Sequence, residues 1–142
     1  MRVVLDTNVV VSAFLWKGPP NEILSPLVRR NFQLFSSKPL ILELTDVLRR
    51  KKLEYRLKET GYTPEKILVK YLGLIKMVVP VEFLEPPPIR DEDDVAVLAA
   101  AFSARASFIV TGDNELLELK HFDTINILTP LEFVKICLHH IR

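Results

Sequence analysis

Four acidic residues are the best candidates for chemistry in this chain, because each stands where a strand ends or a helix begins. They are Asp6, Glu43, Asp94 and Asp113. In an α/β domain such turns gather along one edge of the sheet, so carboxylates far apart in sequence can converge on one divalent cation. Oxygen ligands suit Mg²⁺ or Mn²⁺, and no Cys or His spacing indicates zinc. The pattern therefore predicts a Mg²⁺ or Mn²⁺ site.

A site of this kind suits hydrolysis of a phosphodiester bond. Two cations about 3.5 to 4 Å apart can activate a water on one side of the phosphorus and stabilise the leaving oxygen on the other. This chemistry needs no protein nucleophile. The expected reaction is phosphodiester hydrolysis.

Three of these acids also have an ordinary structural explanation. Asp6 could cap the helix that begins near Asn8, although Thr7 and Asn8 could do so themselves. A glutamate such as Glu43, in the opening turns of a helix, is favoured by the helix dipole. Asp113 could be the N-cap of the short helix that follows a Thr-Gly-Asp turn. Both explanations stay open from the sequence alone.

Residues 91–94 read Asp-Glu-Asp-Asp and directly precede a nearly all-apolar segment. One carboxylate can cap the helix expected there, and another gains about 0.3 to 1 kcal/mol from its dipole. Four acids exceed what capping requires, and their mutual repulsion needs screening by a cation or by solvent. Because Asp94 adjoins the apolar segment, we expect its side chain to point inward.

Short apolar, β-branched segments predict about five strands, at residues 3–5, 32–35, 77–81, 108–110 and 125–128. Helical spacing and capping signals predict helices between them, at residues 9–15, 21–30, 37–52, 53–59, 64–75, 95–102 and 115–119, with a last one from Pro130. Strands alternating with helices imply an α/β fold, a three-layer α/β/α sandwich around a central parallel sheet.

The composition fits one domain spanning residues 1–142. With 49% hydrophobic residues the chain can bury a sizeable core. The single cysteine, Cys137, excludes an internal disulfide framework. No signal peptide or membrane span is recognisable, so we expect a soluble cytoplasmic protein. The net charge of +1 does not by itself indicate a nucleic-acid partner.

The four acids lie in sequence motifs that resemble those of the PIN-domain nucleases. The opening LDTNVVVSAFLW is similar to the first motif of that family, and SKPLILELTDVLRR to the second. RDEDDVAVLAAA and ASFIVTGDNELLEL resemble the third and fourth. The resemblance spans nearly the whole chain. One departure is the Glu92 of RDEDD, where relatives often have proline.

The resemblance assigns roles to individual residues. It implies that Asp6, Asp94 and Asp113 ligate the metal, while Glu43 ligates it or orients a metal-bound water. Supporting roles fall to Asn8, Ser12, Thr111, Glu115 and Asp93, and Asp93 is also the alternative to Asp94 as third ligand. The implied activity is an endoribonuclease that cuts single-stranded RNA and leaves 5′-phosphate and 3′-hydroxyl ends. The most similar branch consists of toxins of toxin–antitoxin pairs, which implies an antitoxin partner and a homodimer.

Charge placement is compatible with an RNA substrate. A basic stretch, Arg49, Arg50, Lys51 and Lys52, follows the helix of Glu43 and suits phosphate contacts. The spacing of Arg50, Glu54 and Lys58 equally fits an ordinary exposed helix face. Phe14 and Trp16 could stack on a base or pack against a neighbouring helix, and packing is the simpler expectation.

Two other functions remain open. A catalytically silent PIN-like module would bind RNA or protein without cleaving it, although acids at every motif speak against this. A phosphatase with an aspartyl nucleophile would also place an acid after the first strand. Such enzymes typically carry Asp-x-Asp, whereas the second position here is Asn8.

Overall fold

A six-stranded, mostly parallel sheet forms the centre of the molecule in the computed structural model, which describes residues 1–139 of the 142. The end of the predicted domain, residues 140–142, lies outside the described part. The strands are β1 (Arg2–Leu5), β2 (Gln33–Ser37), β3 (Ile75–Val78), β4 (Phe108–Val110), β5 (His121–Phe122) and β6 (Ile125–Leu128). Their order across the sheet is β3-β2-β1-β4-β6-β5.

Helices connect the strands. They are α1 (Thr7–Leu15), α2 (Pro19–Ile23), α3 (Pro26–Arg29), α4 (Lys38–Leu48), α5 (Glu54–Thr60), α6 (Pro64–Leu72), α7 (Glu92–Ala104), α8 (Asn114–Leu119) and α9 (Pro130–His139). A 3-10 turn, Lys51–Leu53, precedes α5.

Two hydrophobic cores lie on opposite faces of the sheet. Along β1, Val3 and Leu5 belong to the core that includes α1, α6 and α9, whereas Val4 belongs to the core built on α7. All three side chains are almost completely buried. Strands covered on both faces are typical of parallel sheets in α/β proteins. The predicted α/β class, with layers of helices around a parallel sheet, is confirmed.

The sheet differs from the prediction at its edges. A sixth strand, β5, pairs antiparallel with β6 through His121↔Asn126 and Phe122↔Ile125. It has only two residues, which are too few to show the alternation of polar and apolar residues by which a strand is recognised in a sequence. At the other edge, β3 begins at Ile75 and ends at Val78, because α6 already stops before Gly73.

Two predicted helices are shorter or broken. Residues 21–30 form α2 and α3 rather than one helix, because Pro26 holds Ser25 in an extended conformation with ψ of 146°. The helix predicted for 37–52 ends at Leu48, and Arg50 is extended with ψ of 138°. Consecutive cations provide no favourable pairs that would continue that helix.

Among the described residues, no helix combines the length and the apolar character needed to cross a membrane.

Candidate metal centre

Parallel strands bring the predicted acids to one edge of the sheet. Asp6 directly follows β1, and Thr111 and Asp113 follow β4, the neighbour of β1. The Asp6 N–H donates to the Val110 carbonyl at 2.9 Å, which joins the ends of these two strands. The helix that carries Glu43 starts directly after β2, the other neighbour of β1. The carboxyl ends of β2, β1 and β4 thus form the floor of the candidate site.

Asp6 lies buried at this floor, with 7% of its surface exposed. Its Oδ1 accepts from the Thr7 N–H at 2.8 Å, so it caps α1, and its Oδ2 accepts from the Thr111 hydroxyl at 2.7 Å. Burial raises the pKa of Asp6, and these hydrogen bonds partly offset that rise. Each carboxylate oxygen retains a lone pair, so capping does not prevent metal ligation.

Asp94 is also buried, with 5% of its surface exposed. Asp91 is the N-cap of α7 and accepts from the Asp93 N–H at 2.8 Å, which leaves Asp94 free of the capping role. The Oδ2 atom of Asp94 is fully buried without a hydrogen-bond partner in the described chain. Burial, reinforced by the charge of Asp113 and other nearby acids, raises the pKa of Asp94 to about 7.

Asp113 and Glu115 complete a cluster with Asp94. One carboxylate oxygen from each of the three residues lies within 4.8 Å of the others. Asp113 also caps α8, accepting from the Glu115 N–H at 2.7 Å, and its own N–H donates to the Thr111 hydroxyl at 3.0 Å. Thr111 therefore fixes both Asp6 and the turn that carries Asp113. Glu115, predicted as a supporting residue, is a member of this cluster, whereas Asp6, a predicted ligand, is not a member of the cluster found among residues 1–139.

Glu43 approaches the same acids from α4. Its Oε2 atom is buried without a hydrogen-bond partner among residues 1–139. Burial raises the pKa of Glu43, a hydrogen bond from the Thr7 side chain lowers it, and the charges of Asp93 and Asp6 raise it further. The contact with Thr7 was not predicted, although a hydroxyl residue next to Asp6 was a visible signal for it.

This set of groups fits a hard divalent cation. Two buried carboxylate oxygens, on Glu43 and Asp94, have no hydrogen-bond partner among the residues that the structure describes, and such atoms are rare in folded proteins unless an ion or water satisfies them. The mutual repulsion that raises the pKa of Asp94 would also be relieved by a positive ion. All the donors are carboxylate oxygens, as Mg²⁺ and Mn²⁺ prefer.

Comparison with known proteins decides the family. The PIN domain model matches residues 2–115, most of the chain. The chain belongs to the PIN-domain family. The resemblance drawn from the sequence is thereby confirmed.

A solved structure has the same fold. This chain is similar to one chain of the crystal structure of VapBC2 from Rickettsia felis, with a TM-score of 0.59 at 15% identity. In that structure VapBC2 is bound to a DNA fragment from its promoter. The match covers 89% of this PIN domain and 97% of that chain. A comparison with curated proteins finds no match.

The remaining predicted supporting residues of the PIN domain have fewer contacts that fix their side chains. Asn8 is exposed and Ser12 half-buried, and within residues 1–139 neither side chain makes a hydrogen bond. Asp93 is exposed, whereas its neighbour Asp94 is buried with an unpartnered oxygen, which favours Asp94 as the third ligand.

The basic stretch lies on the surface. Arg49 pairs with Glu65 at 3.4 Å, while Arg50, Lys51 and Lys52 are exposed and have no ion pair in the described chain. Arg50 lies outside α5, which carries Glu54 and Lys58, so the alternative that these three residues form one exposed helix face is wrong.

Proposed function

We propose that the chain is a metal-dependent endoribonuclease that hydrolyses phosphodiester bonds of single-stranded RNA. The observation that carries this proposal is the buried Asp94 carboxylate, which faces other acids with an unsatisfied oxygen at the carboxyl edge of the sheet. A stable fold gains nothing from this arrangement without a cation, because burial and like charges both destabilise the ionised group.

In this proposal Asp6, Asp94 and Asp113 hold Mg²⁺ or Mn²⁺, and Glu115 lies within reach of the same ion. When bound, the metal supplies Lewis acidity and lowers the pKa of a water, which is the chemistry that phosphodiester hydrolysis needs. Thr111 keeps the Asp6 carboxylate in place through the 2.7 Å hydrogen bond. Positioning contacts of this kind typically change affinity or activity 10- to 100-fold when removed.

Glu43 has a different role in the proposal. Thr7 lies beside its side chain, and its buried Oε2 is available to accept a hydrogen bond. Its raised pKa makes it a better proton acceptor than an ordinary glutamate. Glu43 would therefore orient the attacking water and receive its proton.

The substrate and partners belong to the same proposal. Exposed cations at Arg50, Lys51 and Lys52 would contact phosphates of the RNA strand. The family resemblance in the sequence supports a toxin paired with an antitoxin protein, a homodimeric state and 5′-phosphate products. The structural neighbour, at 15% identity, supports the fold alone.

The phosphatase alternative fits the structure poorly. The position two residues after Asp6 is an exposed Asn8 rather than the second acid that such enzymes typically carry. A phosphorylated Asp6 would be labile in alkali, and its detection would favour that alternative. A silent binding module would bind RNA with every acid intact and leave it uncut.

The decisive experiment is cleavage of mixed-sequence single-stranded RNA with Mg²⁺ or Mn²⁺. We expect cleavage by the wild type, no cleavage with a chelator, and loss of activity in Asp6→Asn. The matched control is Asp46→Asn, which changes an exposed acid on α4 and should retain activity. Cleavage that persists in Asp6→Asn would contradict the site, and an inactive wild type would contradict the function.

A further inference from the structure

Trp16 ends α1 with its ring partly in solvent. As the C-cap residue it is 43% exposed, and within residues 1–139 its indole N–H donates to no acceptor. Phe14, two residues earlier, packs inward instead, edge-to-face with Tyr62 at 5.9 Å and with Tyr71 at 6.4 Å between ring centroids. The expectation of packing therefore holds for Phe14 and leaves the exposure of Trp16 unexplained.

Arg56 holds the Trp16 ring in a defined arrangement. Its guanidinium carbon lies 5.5 Å from the ring centroid, and its Nε donates to the Leu15 carbonyl at 2.6 Å. A contact with Glu59 at 3.7 Å fixes the same guanidinium further. Since α5 thereby clamps the end of α1, Trp16 is an aromatic surface whose position is set before any ligand arrives.

Positive charge surrounds this aromatic surface. Residues 49–58 carry six cations and one acid, and Lys17 follows Trp16 directly. Lys52 lies in the 3-10 turn that directly precedes α5, four residues before Arg56. In the described chain only Arg49 and Arg56 of the six cations are ion-paired. The surplus charge matches a polyanion, and an aromatic ring among cations is the usual platform for single-stranded nucleic acid.

We infer that the Trp16–Arg56 pair is a base-stacking site for the RNA strand, with Lys17 and Lys52 contacting its phosphates. This inference rests on the proposed function, since it names where the substrate binds away from the acids. Asp6 caps the start of α1 and Trp16 its end, so the two sites are ten residues, or about 15 Å, apart along the helix. At a stacked rise of about 3.4 Å, about four or five nucleotides span that distance.

The chain contains a single tryptophan, so its fluorescence reports on this site alone. We would titrate the Asp6→Asn variant with a 12-nucleotide oligouridylate in the presence of a chelator, which prevents cleavage. Stacking of a base on Trp16 predicts saturable quenching. Quenching that is absent while the labelled oligonucleotide still binds would overturn the inference.

Substitutions test the same contact without the tryptophan signal. In anisotropy titrations of the labelled oligonucleotide, Trp16→Ala should weaken binding by about five- to a hundredfold, and Trp16→Phe should restore most of it. Phe102→Ala is the matched control, because Phe102 lies on α7 with a similar exposure of 44%. Equal affinity of wild type and Trp16→Ala would refute the stacking site.

Substrate length separates this inference from the proposed function. A trinucleotide is too short to reach both sites, so Trp16→Ala should slow cleavage of the 12-nucleotide RNA at low concentration more than it slows cleavage of a trinucleotide. If RNA quenches the Trp16 fluorescence of the wild type but the wild type never cleaves RNA, the proposed function fails and the stacking site stands. If it cleaves and Trp16→Ala has no effect on either substrate, the stacking site fails alone.

Discussion

Two carboxylates of the site cap helices and also lie where they could ligate a metal. Asp6 caps α1 and Asp113 caps α8, and each cap uses one oxygen of a side chain that also lies at the acidic edge. The sequence left capping and ligation as competing explanations for these residues. In the fold they are compatible, because a cap bond orients the carboxylate and leaves lone pairs free.

Asp94 should make the metal-free protein less stable as the pH rises. Its pKa is about 7 in the folded state and 3.8 as the reference value, so between these values the folded state binds the extra proton. The free energy of unfolding then falls with increasing pH and is lower at pH 8 than at pH 6. Asp94→Asn should remove much of this dependence and be more stable than the wild type at pH 8 in chelator, because the substitution removes the buried charge.

Urea unfolding in a chelator at both pH values measures this effect. Added Mn²⁺ should stabilise the wild type and not Asp94→Asn, since the variant lacks the ligand. Asp46→Asn, which changes an exposed acid, should behave as the wild type in both experiments. A wild type that is more stable at pH 8 than at pH 6 in chelator would contradict the assigned burial of Asp94.

Thr111 should be needed for both stability and activity. Thr111→Val keeps the shape of this fully buried side chain and removes the hydroxyl that serves Asp6 and the Asp113 N–H. The unpaired groups should cost about 1 to 3 kcal/mol, and cleavage should slow about 10- to 100-fold. Thr111→Ser retains the hydroxyl and should retain most activity. Equal rates for the two variants would argue against a positioning role.

The acids of the site could be named from sequence because each stands beside an apolar strand or helix with a recognisable turn. Their contacts could not, since the hydrogen bond between Thr111 and Asp6 joins residues 105 positions apart. The sequence alone also does not decide whether Asp93 or Asp94 is the third metal ligand. Only the capping by Asp91 fixes which of the two turns inward.

At the scale of elements, the sequence located strands and helices well and their ends less well. Strand β4 and strand β6 have the predicted bounds, because both are apolar runs between polar turns. The helix predicted for 21–30 is divided by Pro26, which begins α3 after α2 has ended, and the edge strand β5 is too short to show alternation. Local sequence therefore predicts the strands and helices of the buried centre. It does not predict the short edge strand or the break between α2 and α3.

The end of α5 depends on a glycine. Gly61 has φ of +77°, a left-handed conformation that costs other residues energy, and a Cβ there would meet nothing within 4 Å. Gly61→Ala should therefore lower the free energy of unfolding by about 1 kcal/mol through backbone strain alone. Gly112→Ala is the matched control, with equally open space and no left-handed φ. Chemical denaturation of both variants checks this, and equal effects would contradict the strain.

At the scale of the whole molecule, a net charge of +1 conceals two separated surfaces. Acids gather at the carboxyl edge of the sheet, where the charge of Asp113 helps to raise the pKa values of both Asp6 and Asp94. Cations gather between Arg49 and Lys58 around the end of α1. A polyanion should therefore bind the basic surface and reach the acidic edge only when a cation neutralises it.

Salt dependence tests this separation. If Lys17, Arg50, Lys51 and Lys52 each neutralise one phosphate, the logarithm of RNA affinity should fall with the logarithm of salt concentration with a slope of about −3, or −0.7 per contact. Binding of the Asp6→Asn variant in chelator between about 50 and 200 mM salt measures this slope. Combining Lys51→Ala with Lys52→Ala should reduce its magnitude by about 1.4, because two contacts are lost. The double change of Lys66 and Lys70 to alanine alters two exposed cations of α6 and should leave the slope unchanged. A slope near zero in the wild type would show that the modest net charge, rather than the basic surface, governs the encounter with RNA.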